Sequence, residues 1–222
     1  MENITFNLSE LHCHGTAYFD YLALRKQYFV DTLGWDIPHN DTYEMDQYDN
    51  PLAHYSLVLK DGKVIGGARG MPTTSSWGDY TYMIRDAASG KLSDIPNGVI
   101  EDIIETPKVW ECTRLVVSDE LVTHNERYEC LDLIVDGLAK TAREYDAGKL
   151  IALMRPSFLR ALRQLGYEAS IMGKPYFSKE DGRKYAVLGM SVNPAIRLAT
   201  VTEPKSVHVP LVEQPVELRQ SA

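Results

Sequence analysis

Three residues near the start of the sequence have side chains suited to binding a charged substrate. Arg25 and Phe29 lie four residues apart in a segment of helical periodicity, so they share one face of the expected helix, and Trp35 follows it. A guanidinium group can hold a carboxylate in a fork geometry, and an aromatic face attracts cations. These residue types would suit a substrate that carries both charges.

Five more charged residues stand in loops or strands that are otherwise apolar or aromatic. Asp46 and Asp49 lie in a loop, Arg69 ends an apolar strand, and Glu111 and Arg114 interrupt a later apolar strand. A carboxylate among them could accept the proton that an attacking amine must lose. Taken one at a time, each charge is explained better by a structural ion pair, because buried charges are rarely tolerated unpaired.

Glu111 and Arg114 would face opposite sides of a regular strand, because side chains alternate along it. Both can line one site only if a β-bulge lies between them, and bulges do occur beside active sites. We predict a bulge near Cys112 and Thr113.

The order of these residues closely resembles the pattern of LuxI-type acyl-homoserine lactone synthases. That family has an Arg, a Phe and a Trp, an E-x-D-x-Y-D run, an Arg just before Pro-Thr, and a W-E-x-[S/T]-R strand. Here the run is residues 44–49 and the strand motif is residues 110–114. The hallmark positions are filled by Arg25, Phe29, Trp35, Asp46, Asp49, Arg69, Glu111 and Arg114. The resemblance covers residues 20–117 well and continues more loosely to about residue 192.

The resemblance implies a fold of the GCN5-related N-acyltransferase kind and a quorum-sensing signal as product. The family takes an acyl chain from acyl carrier protein or coenzyme A and transfers it to the α-amine of S-adenosylmethionine. The methionine carboxylate then closes the lactone and expels methylthioadenosine. Both molecules are substrates, so no cofactor is implied.

The resemblance also suggests roles for the hallmark residues. A carboxylate would offset the positive groups of S-adenosylmethionine, an arginine would hold its carboxylate, and aromatic faces would meet its sulfonium or adenine. The carboxylate would be that of Asp46 or Asp49, and the arginine would be Arg25 or Arg69. The aromatic faces would be those of Phe29 and Trp35. Glu111 is the first candidate for the general base, with Asp46 behind it, and Arg114 is expected to orient Glu111. A backbone amide of the same strand could stabilise the thioester oxyanion.

Ordinary acetyltransferases of this fold cradle the coenzyme A pyrophosphate in a glycine-rich loop after the central strand. The corresponding residues here, 118–123, read Ser-Asp-Glu-Leu-Val-Thr and contain no glycine. An acetyltransferase that binds coenzyme A in the usual way is therefore disfavoured.

Two later groups of residues have a functional and a structural interpretation of similar weight. The basic residues Lys149, Arg155, Arg160 and Arg163 could dock an acidic carrier protein or coenzyme A phosphates, or could form a solvated surface. The apolar residues Ile151, Leu153 and Met154 could line an acyl pocket or simply form core. Many relatives that favour 3-oxo chains place a threonine near Met154, so methionine there favours chains without a 3-oxo group.

The elements that must position these residues follow from hydrophobic periodicity and turn signals. Strands are predicted at 4–8, 54–59, 64–69, 109–117, 150–154, 169–177 and 184–192, and helices at 16–33, 82–88, 125–145 and 157–165, with left-handed caps at Gly148 and Gly166. This order predicts one domain over residues 1–200 of the α/β (α+β) class, with a mixed, mostly antiparallel sheet flanked by helices. Residues 201–222 contain several prolines and are expected to form an irregular tail.

The composition limits the classes of partner. A formal net charge of −8 over 222 residues argues against binding to nucleic acid. No apolar run approaches the roughly 20 residues that span a bilayer, and the first residues do not resemble a secretory signal, so we expect a cytoplasmic protein with no membrane partner. His12, Cys13 and His14 are too closely spaced for a structural zinc site, so no metal is expected.

Two alternatives to the synthase remain open at this stage. One is another N-acyltransferase of the same fold that acylates a free amino acid or amine. The other is an inactive acyl-binding or regulatory module.

Overall fold

One mixed sheet organises residues 1–195, the part of the chain that the computed structural model describes. Its strands are β1 (Glu2–Asn7), β2 (His54–Lys60), β3 (Lys63–Pro72), β4 (Val109–Val117), β5 (Lys149–Met154), β6 (Tyr167–Ile171), β7 (Tyr176–Phe177) and β8 (Lys184–Pro194). The spatial order is β1-β2-β3-β4-β5-β8-β6, and β7 pairs with β8 outside that path. Among these eight strands only β4 and β5 pair in parallel, so the predicted mixed, mostly antiparallel sheet is confirmed.

Within residues 1–195, four α-helices flank the sheet. They are α1 (Ala17–Arg25), α2 (Met83–Ala88), α3 (His124–Glu144) and α4 (Phe158–Gln164). α3 forms the single crossover between the parallel strands β4 and β5, as a parallel pair requires. Among the described residues, no helix is long and apolar enough to cross a membrane. The tail predicted for residues 201–222 lies outside the described residues.

The hairpin of β2 and β3 forms at the predicted turn. Asp61 and Gly62 have φ angles of 54° and 78°, the left-handed conformation that a tight two-residue turn needs at both central positions. The hairpin holds Arg69 near the end of β3, where its side chain is fully buried. A local turn signal thus places one of the hallmark arginines.

The first helix differs from the prediction of a continuous helix over residues 16–33. α1 ends at Arg25 and continues as a π-helical segment, Lys26–Thr32, in which the amide of Leu33 donates to the carbonyl of Tyr28 at 3.0 Å. Such wide turns occur frequently at functional sites. Here the π-helical segment carries Phe29, whose ring packs against the site described below.

Two further predictions are corrected. The left-handed residue after α3 is Asp146, with φ of 60°, rather than Gly148, because the helix already ends at Glu144. The strand predicted at 169–177 is two strands, β6 and β7, which pair with different parts of β8. The left-handed cap at Gly166 is confirmed by its φ of 89°.

Candidate active site

A cleft opens where β4 and β5 separate. The two strands pair only from Val109 to Glu111 and from Lys149 to Ile151, and beyond that point they diverge. The cleft has a volume of about 710 Å³ and passes between the diverging ends of the two strands. It is large enough for a small-molecule ligand.

A β-bulge in β4 determines which side chains line this cleft. Gly67 pairs with Val116 and Arg69 with Thr113, so β4 has one residue more than β3 over this stretch. Arg114 has φ of 55° and so occupies the extra position. The predicted bulge is confirmed, one residue later than expected. It brings Arg114 to the side of the sheet on which Thr113 contacts Arg69.

Three arginines and three carboxylates form a buried network beside the bulge. Arg25 donates to Asp49 with both terminal nitrogens, at 2.8 and 2.9 Å, and its Nε lies 2.6 Å from Glu44. The Nη1 of Arg69 lies 2.6 Å from Asp46 and 2.8 Å from Asp49. These five side chains are almost completely buried. The network therefore satisfies charges that would otherwise be costly to bury.

Arg114 joins the same network from the cleft side. Its Nη2 lies 2.8 Å from Asp46, its Nε lies 3.2 Å from Glu44, and its side chain is 10% exposed. The hydroxyl of Tyr21 donates to the backbone carbonyl of Arg114 at 2.7 Å, which supports the bulge from behind. Of the three arginines, Arg114 is the one that lines the cleft.

The network holds Asp46 and Asp49 in the ionised form. Burial alone would raise the pKa of Asp46, but attraction by Arg69 and then by Arg114 outweighs it and lowers the pKa. Burial is likewise outweighed at Asp49, where Arg69 and Arg25 lower the pKa far below its ordinary value. A carboxylate with so low a pKa is a weak proton acceptor.

Glu111 lies near this network but has different partners. Its two oxygens accept hydrogen bonds from the backbone amides of Met83 and Ile84, at 2.7 and 2.8 Å, at the start of α2. Burial raises its pKa to about 7, although these two bonds oppose the shift. Glu111 is 2% exposed and does not line the cleft, whereas Met83 does. Glu111 thus fixes the segment that forms one wall, with a pKa suited to proton transfer near neutral pH.

The long segment before β4 forms that wall and is held by buried polar contacts. Asp86 accepts from the amide of Thr81 at 3.0 Å and from the hydroxyl of Tyr48 at 3.1 Å. The Tyr82 hydroxyl donates to the carbonyl of Ile104 at 2.6 Å. The segment is therefore anchored at several points, and its residues Leu92, Asp94 and Ile95 line the cleft.

Aromatic rings form the opposite wall. Phe29 and Trp35 stack with ring centroids 5.1 Å apart, and the Arg114 guanidinium lies 5.5 Å from the Phe29 centroid. Both residues line the cleft, but Phe29 is buried whereas Trp35 is partly exposed. Trp35 therefore offers the more open aromatic surface.

Of the three residues predicted to line an acyl pocket, two line the cleft and one does not. Leu153 and Met154 line the cleft, together with apolar residues from β4 and α3. Ile151 is 1% exposed and belongs to the core on the α1 side, where β4 and β5 are still paired. Met154 lies at the end of β5, as the sequence suggested.

The predicted basic residues do not form one group. Arg155 lines the cleft, while Arg160 and Arg163 line a separate shallow hollow along α4. Lys149 begins β5, and alternation places it on the Ile151 side of the sheet, away from α4. The Nε and Nη2 of Arg163 donate to the carbonyl of Ala169, at 3.2 and 2.9 Å.

The amino terminus of α3 differs from a phosphate cradle. The Thr123 hydroxyl accepts from the Glu126 amide, and the Glu126 carboxylate accepts from the Thr123 amide, both at 3.2 Å. The chain's own carboxylate therefore occupies the position where an anion could bind to the helix.

Sequence reasoning omitted two site residues. Glu44 belonged to the recognised motif but was not assigned a role, and it proves to contact both Arg25 and Arg114. Asp181 lies outside every motif of the sequence, and it accepts a hydrogen bond from the Trp35 indole. The position of Glu44 in the motif could have identified it, but no local pattern links Asp181 to Trp35.

Comparison with known proteins assigns the chain to a family. The sequence profile of the autoinducer synthase family matches residues 11–195. An acyl-homoserine-lactone synthase of Ralstonia solanacearum is 30% identical over 154 residues, which are 67% of this chain and 70% of that protein.

Solved structures agree in fold. TofI, in a ternary complex with an inhibitor and MTA, has a TM-score of 0.68 at 23% identity, covering 87% of this chain and 92% of that one. BjaI, a CoA-dependent acyl-homoserine lactone synthase with SAM and isopentyl-CoA, has a TM-score of 0.68 at 18% identity, covering 85% and 82%. At these identities the likeness concerns the fold, and it confirms the predicted acyltransferase fold. From the match of the family profile to most of its length, the chain belongs to the autoinducer synthase family.

Proposed function

We propose that this protein is an acyltransferase that makes an acyl-homoserine lactone from S-adenosylmethionine and an acyl thioester. The observation that carries the proposal is that four of the eight hallmark residues of its family line one cleft, and that the buried ion-pair network behind it holds three of the others. The four that line the cleft are Phe29, Trp35, Asp46 and Arg114. The acyl group forms an amide with the α-amine of S-adenosylmethionine and the thiol of the donor leaves. The substrate carboxylate then attacks its own γ-carbon, which closes the lactone ring and releases methylthioadenosine.

The cationic substrate would lie against the aromatic wall. Trp35 offers a ring face to the sulfonium or the adenine, with Phe29 stacked behind it. Because the buried network pairs three guanidiniums with three carboxylates, it has no net charge to offset the cation. Carboxylates outside the network also line the cleft, among them Asp36, Asp94 and Glu180, and these would offset the cation.

The substrate carboxylate would be held by Arg114. Arg25 and Arg69 were candidates for this role, but both are fully buried and bound to carboxylates of the protein. Arg114 is partly exposed in the cleft and has a planar donor group suited to a carboxylate. In this assignment, Arg25 and Arg69 set the position of the carboxylates that orient Arg114.

The proton of the attacking amine would pass to Glu111. Its pKa of about 7 suits a base at neutral pH, and each of its oxygens retains capacity for a further hydrogen bond. Asp46 is the weaker candidate because its pKa is lowered. Since Glu111 does not line the cleft, one water molecule would relay the proton. A backbone amide at the bulge would stabilise the oxyanion of the thioester.

The acyl chain would occupy the part of the cleft between β4 and β5. Leu153 and Met154 supply its apolar surface on the β5 side. Methionine at position 154, near which many relatives that favour 3-oxo chains have threonine, favours a chain without a 3-oxo group. Ile151 would support this surface from the core rather than contact the chain.

The experiment that tests the proposal is incubation of the purified protein with S-adenosylmethionine and a panel of donors. Acyl carrier protein and coenzyme A thioesters are supplied separately, and mass spectrometry measures lactone and methylthioadenosine. An N-acyltransferase that acts on free amines would give an amide without methylthioadenosine. An acyl-binding module would give no product with any donor.

The hollow along α4 predicts a dependence on the donor. Arg160→Glu is expected to raise the KM for acyl carrier protein about tenfold, because the new carboxylate repels an acidic partner, and to leave the KM for S-adenosylmethionine unchanged. Arg160 is preferred to Arg163 because Arg163 also binds the Ala169 carbonyl. Lys140→Glu, the same charge change on the exposed part of α3, is the control. Equal effects of the two substitutions would contradict docking at α4.

A further inference from the structure

The turn between β7 and β8 reaches the aromatic wall of the cleft. The Gly182 amide donates to the Ser178 carbonyl at 3.1 Å, and the Ser178 amide donates to the Arg183 carbonyl at 2.9 Å. Ser178, Glu180 and Arg183 of this turn line the cleft. A segment from the far part of the sheet therefore contributes to the site.

Asp181 is the residue of this turn that contacts Trp35. Its Oδ2 accepts from the Trp35 indole Nε1 at 3.2 Å and from the Tyr185 hydroxyl at 2.7 Å. Its Oδ1 accepts from the Arg183 amide at 2.9 Å. Both oxygens are thus directed by the turn and by β8, which leaves the carboxylate little freedom to rotate.

The electrostatics favour an ionised carboxylate at this position. Burial opposes ionisation of Asp181, but the hydrogen bonds from Tyr185, Arg183 and Trp35 lower its pKa. A hydrogen bond to an ionised acceptor is about twice as strong as one between neutral groups. The indole N–H is therefore held firmly, and with it the plane of the ring.

The orientation of Trp35 has consequences further into the site. Its ring stacks on Phe29 with an interplanar angle of 24°, and the Phe29 ring lies under the Arg114 guanidinium. On the other side, the Tyr185 ring meets Trp35 at 6.3 Å and 62°. A rotation of the indole would remove the stacked surface and expose the edge of Phe29 to the cleft.

We propose that Asp181 is a positioning residue, whose carboxylate fixes the Trp35 indole in the orientation that receives the cationic substrate. The proposal rests on the proposed function for the identity of that substrate. It extends the binding site beyond the hallmark residues, to a turn that no motif identifies. The acyl donor occupies the other part of the cleft and is not affected by Trp35.

Steady-state kinetics provide the first test. Asp181→Ala is expected to raise the KM for S-adenosylmethionine about tenfold, as loss of a hydrogen bond to a charged group implies, and to leave the KM for the acyl donor unchanged. Asp181→Asn retains one oxygen for Trp35 and Tyr185 and should recover part of the loss. Lys179→Ala, an exposed change in the same turn, is the control and should have no effect. Equal rises in both KM values would overturn the proposal.

A double-mutant cycle separates positioning from stability of the turn. Trp35→Phe keeps an aromatic ring but removes the indole N–H. If Asp181 acts through Trp35, adding Asp181→Ala to Trp35→Phe should raise the KM for S-adenosylmethionine less than twofold further. If the fold-increases in KM of the two single variants multiply in the double variant, Asp181 acts independently of the indole.

Fluorine NMR tests the orientation without any assay of activity. The chain has three tryptophans, so 5-fluorotryptophan labelling gives three resonances, and Trp35→Phe assigns one by its loss. Asp181→Ala should shift that resonance and leave the other two unchanged, and titration with methylthioadenosine should give weaker binding than in the wild type. An unshifted Trp35 resonance overturns the proposal. If the wild type makes no lactone, the proposed function fails, while this measurement still decides the role of Asp181.

Discussion

Replacing Glu111 with Gln is expected to lower kcat by about 10²- to 10⁴-fold, the range associated with loss of a general base. Glutamine has nearly the same volume, so the buried site remains filled. It offers one oxygen to the amides of Met83 and Ile84, which now donate to both carboxylate oxygens, and it has no basic site for the proton of the substrate amine. The measurement is single-turnover formation of methylthioadenosine at saturating substrates.

The pH dependence of the wild type belongs to the same prediction. The basic form of Glu111 is the ionised one, so kcat should rise as the pH increases through about 7. The stability of the fold depends on pH in the opposite direction. Because burial raises the pKa of Glu111 in the folded protein, its contribution to stability is fully present below the ordinary pKa and is lost as the pH rises through about 7. Activity and stability should therefore change in opposite directions over this interval.

Asp86→Asn is the matched control for Glu111→Gln. Asp86 is also a buried carboxylate that accepts a backbone amide of the same wall, from Thr81. If the loss in Glu111→Gln came only from a loosened wall, Asp86→Asn would reproduce it. We expect Asp86→Asn to retain the rise of kcat through neutral pH, whereas Glu111→Gln should lose it. An unchanged pH profile in Glu111→Gln would assign the proton transfer to another group.

Replacing Arg25 with Ala is expected to lower the free energy of unfolding by about 3–5 kcal/mol, the cost of leaving buried charges without their partner. Arg25 is paired with both Glu44 and Asp49, and the side chains of all three are 0% exposed. Without this guanidinium, Asp49 keeps only Arg69 and Glu44 keeps only Arg114, so the buried network holds three carboxylates against two guanidiniums. Urea unfolding followed by circular dichroism measures the change.

The neighbouring residue gives a control for Arg25→Ala. Lys26 also forms an ion pair, with Asp31 at 3.0 Å, but these two side chains are 21% and 49% exposed. Such exposed pairs contribute little, so Lys26→Ala should change the free energy of unfolding by less than about 1 kcal/mol. A similar loss in both variants would mean that the network around Arg25 is not the source of the stability.

Several features of the site are determined by local sequence. The Asp61-Gly62 turn sets the β2–β3 hairpin and therefore the place of Arg69, because only a few residue types adopt left-handed conformations at low cost. Thr123 and Glu126 begin α3 by capping each other's amides. The membership of the hallmark residues in one site was also visible, since their order and spacing identify the family.

Other features depend on packing between distant segments. The bulge at Arg114 was expected from the need to bring Glu111 and Arg114 together, but its position is set by the register between β3 and β4. The π-helical segment that carries Phe29 replaces a regular helical turn, although the sequence shows helical periodicity there. Local propensity does not select between such alternatives when tertiary contacts favour one of them.

The division of roles within the site was decided by the tertiary structure. That Arg25, Arg69 and Arg114 belong to one site could be predicted without a structure, because the order of the motif residues is read directly from the sequence. Which of them faces the cleft depends on tertiary packing, since Arg25 and Arg69 are fully enclosed by the protein whereas Arg114 is partly exposed in the cleft. The contact between Asp181 and Trp35 joins residues 146 positions apart, and such contacts arise from the pairing of whole strands rather than from any local pattern.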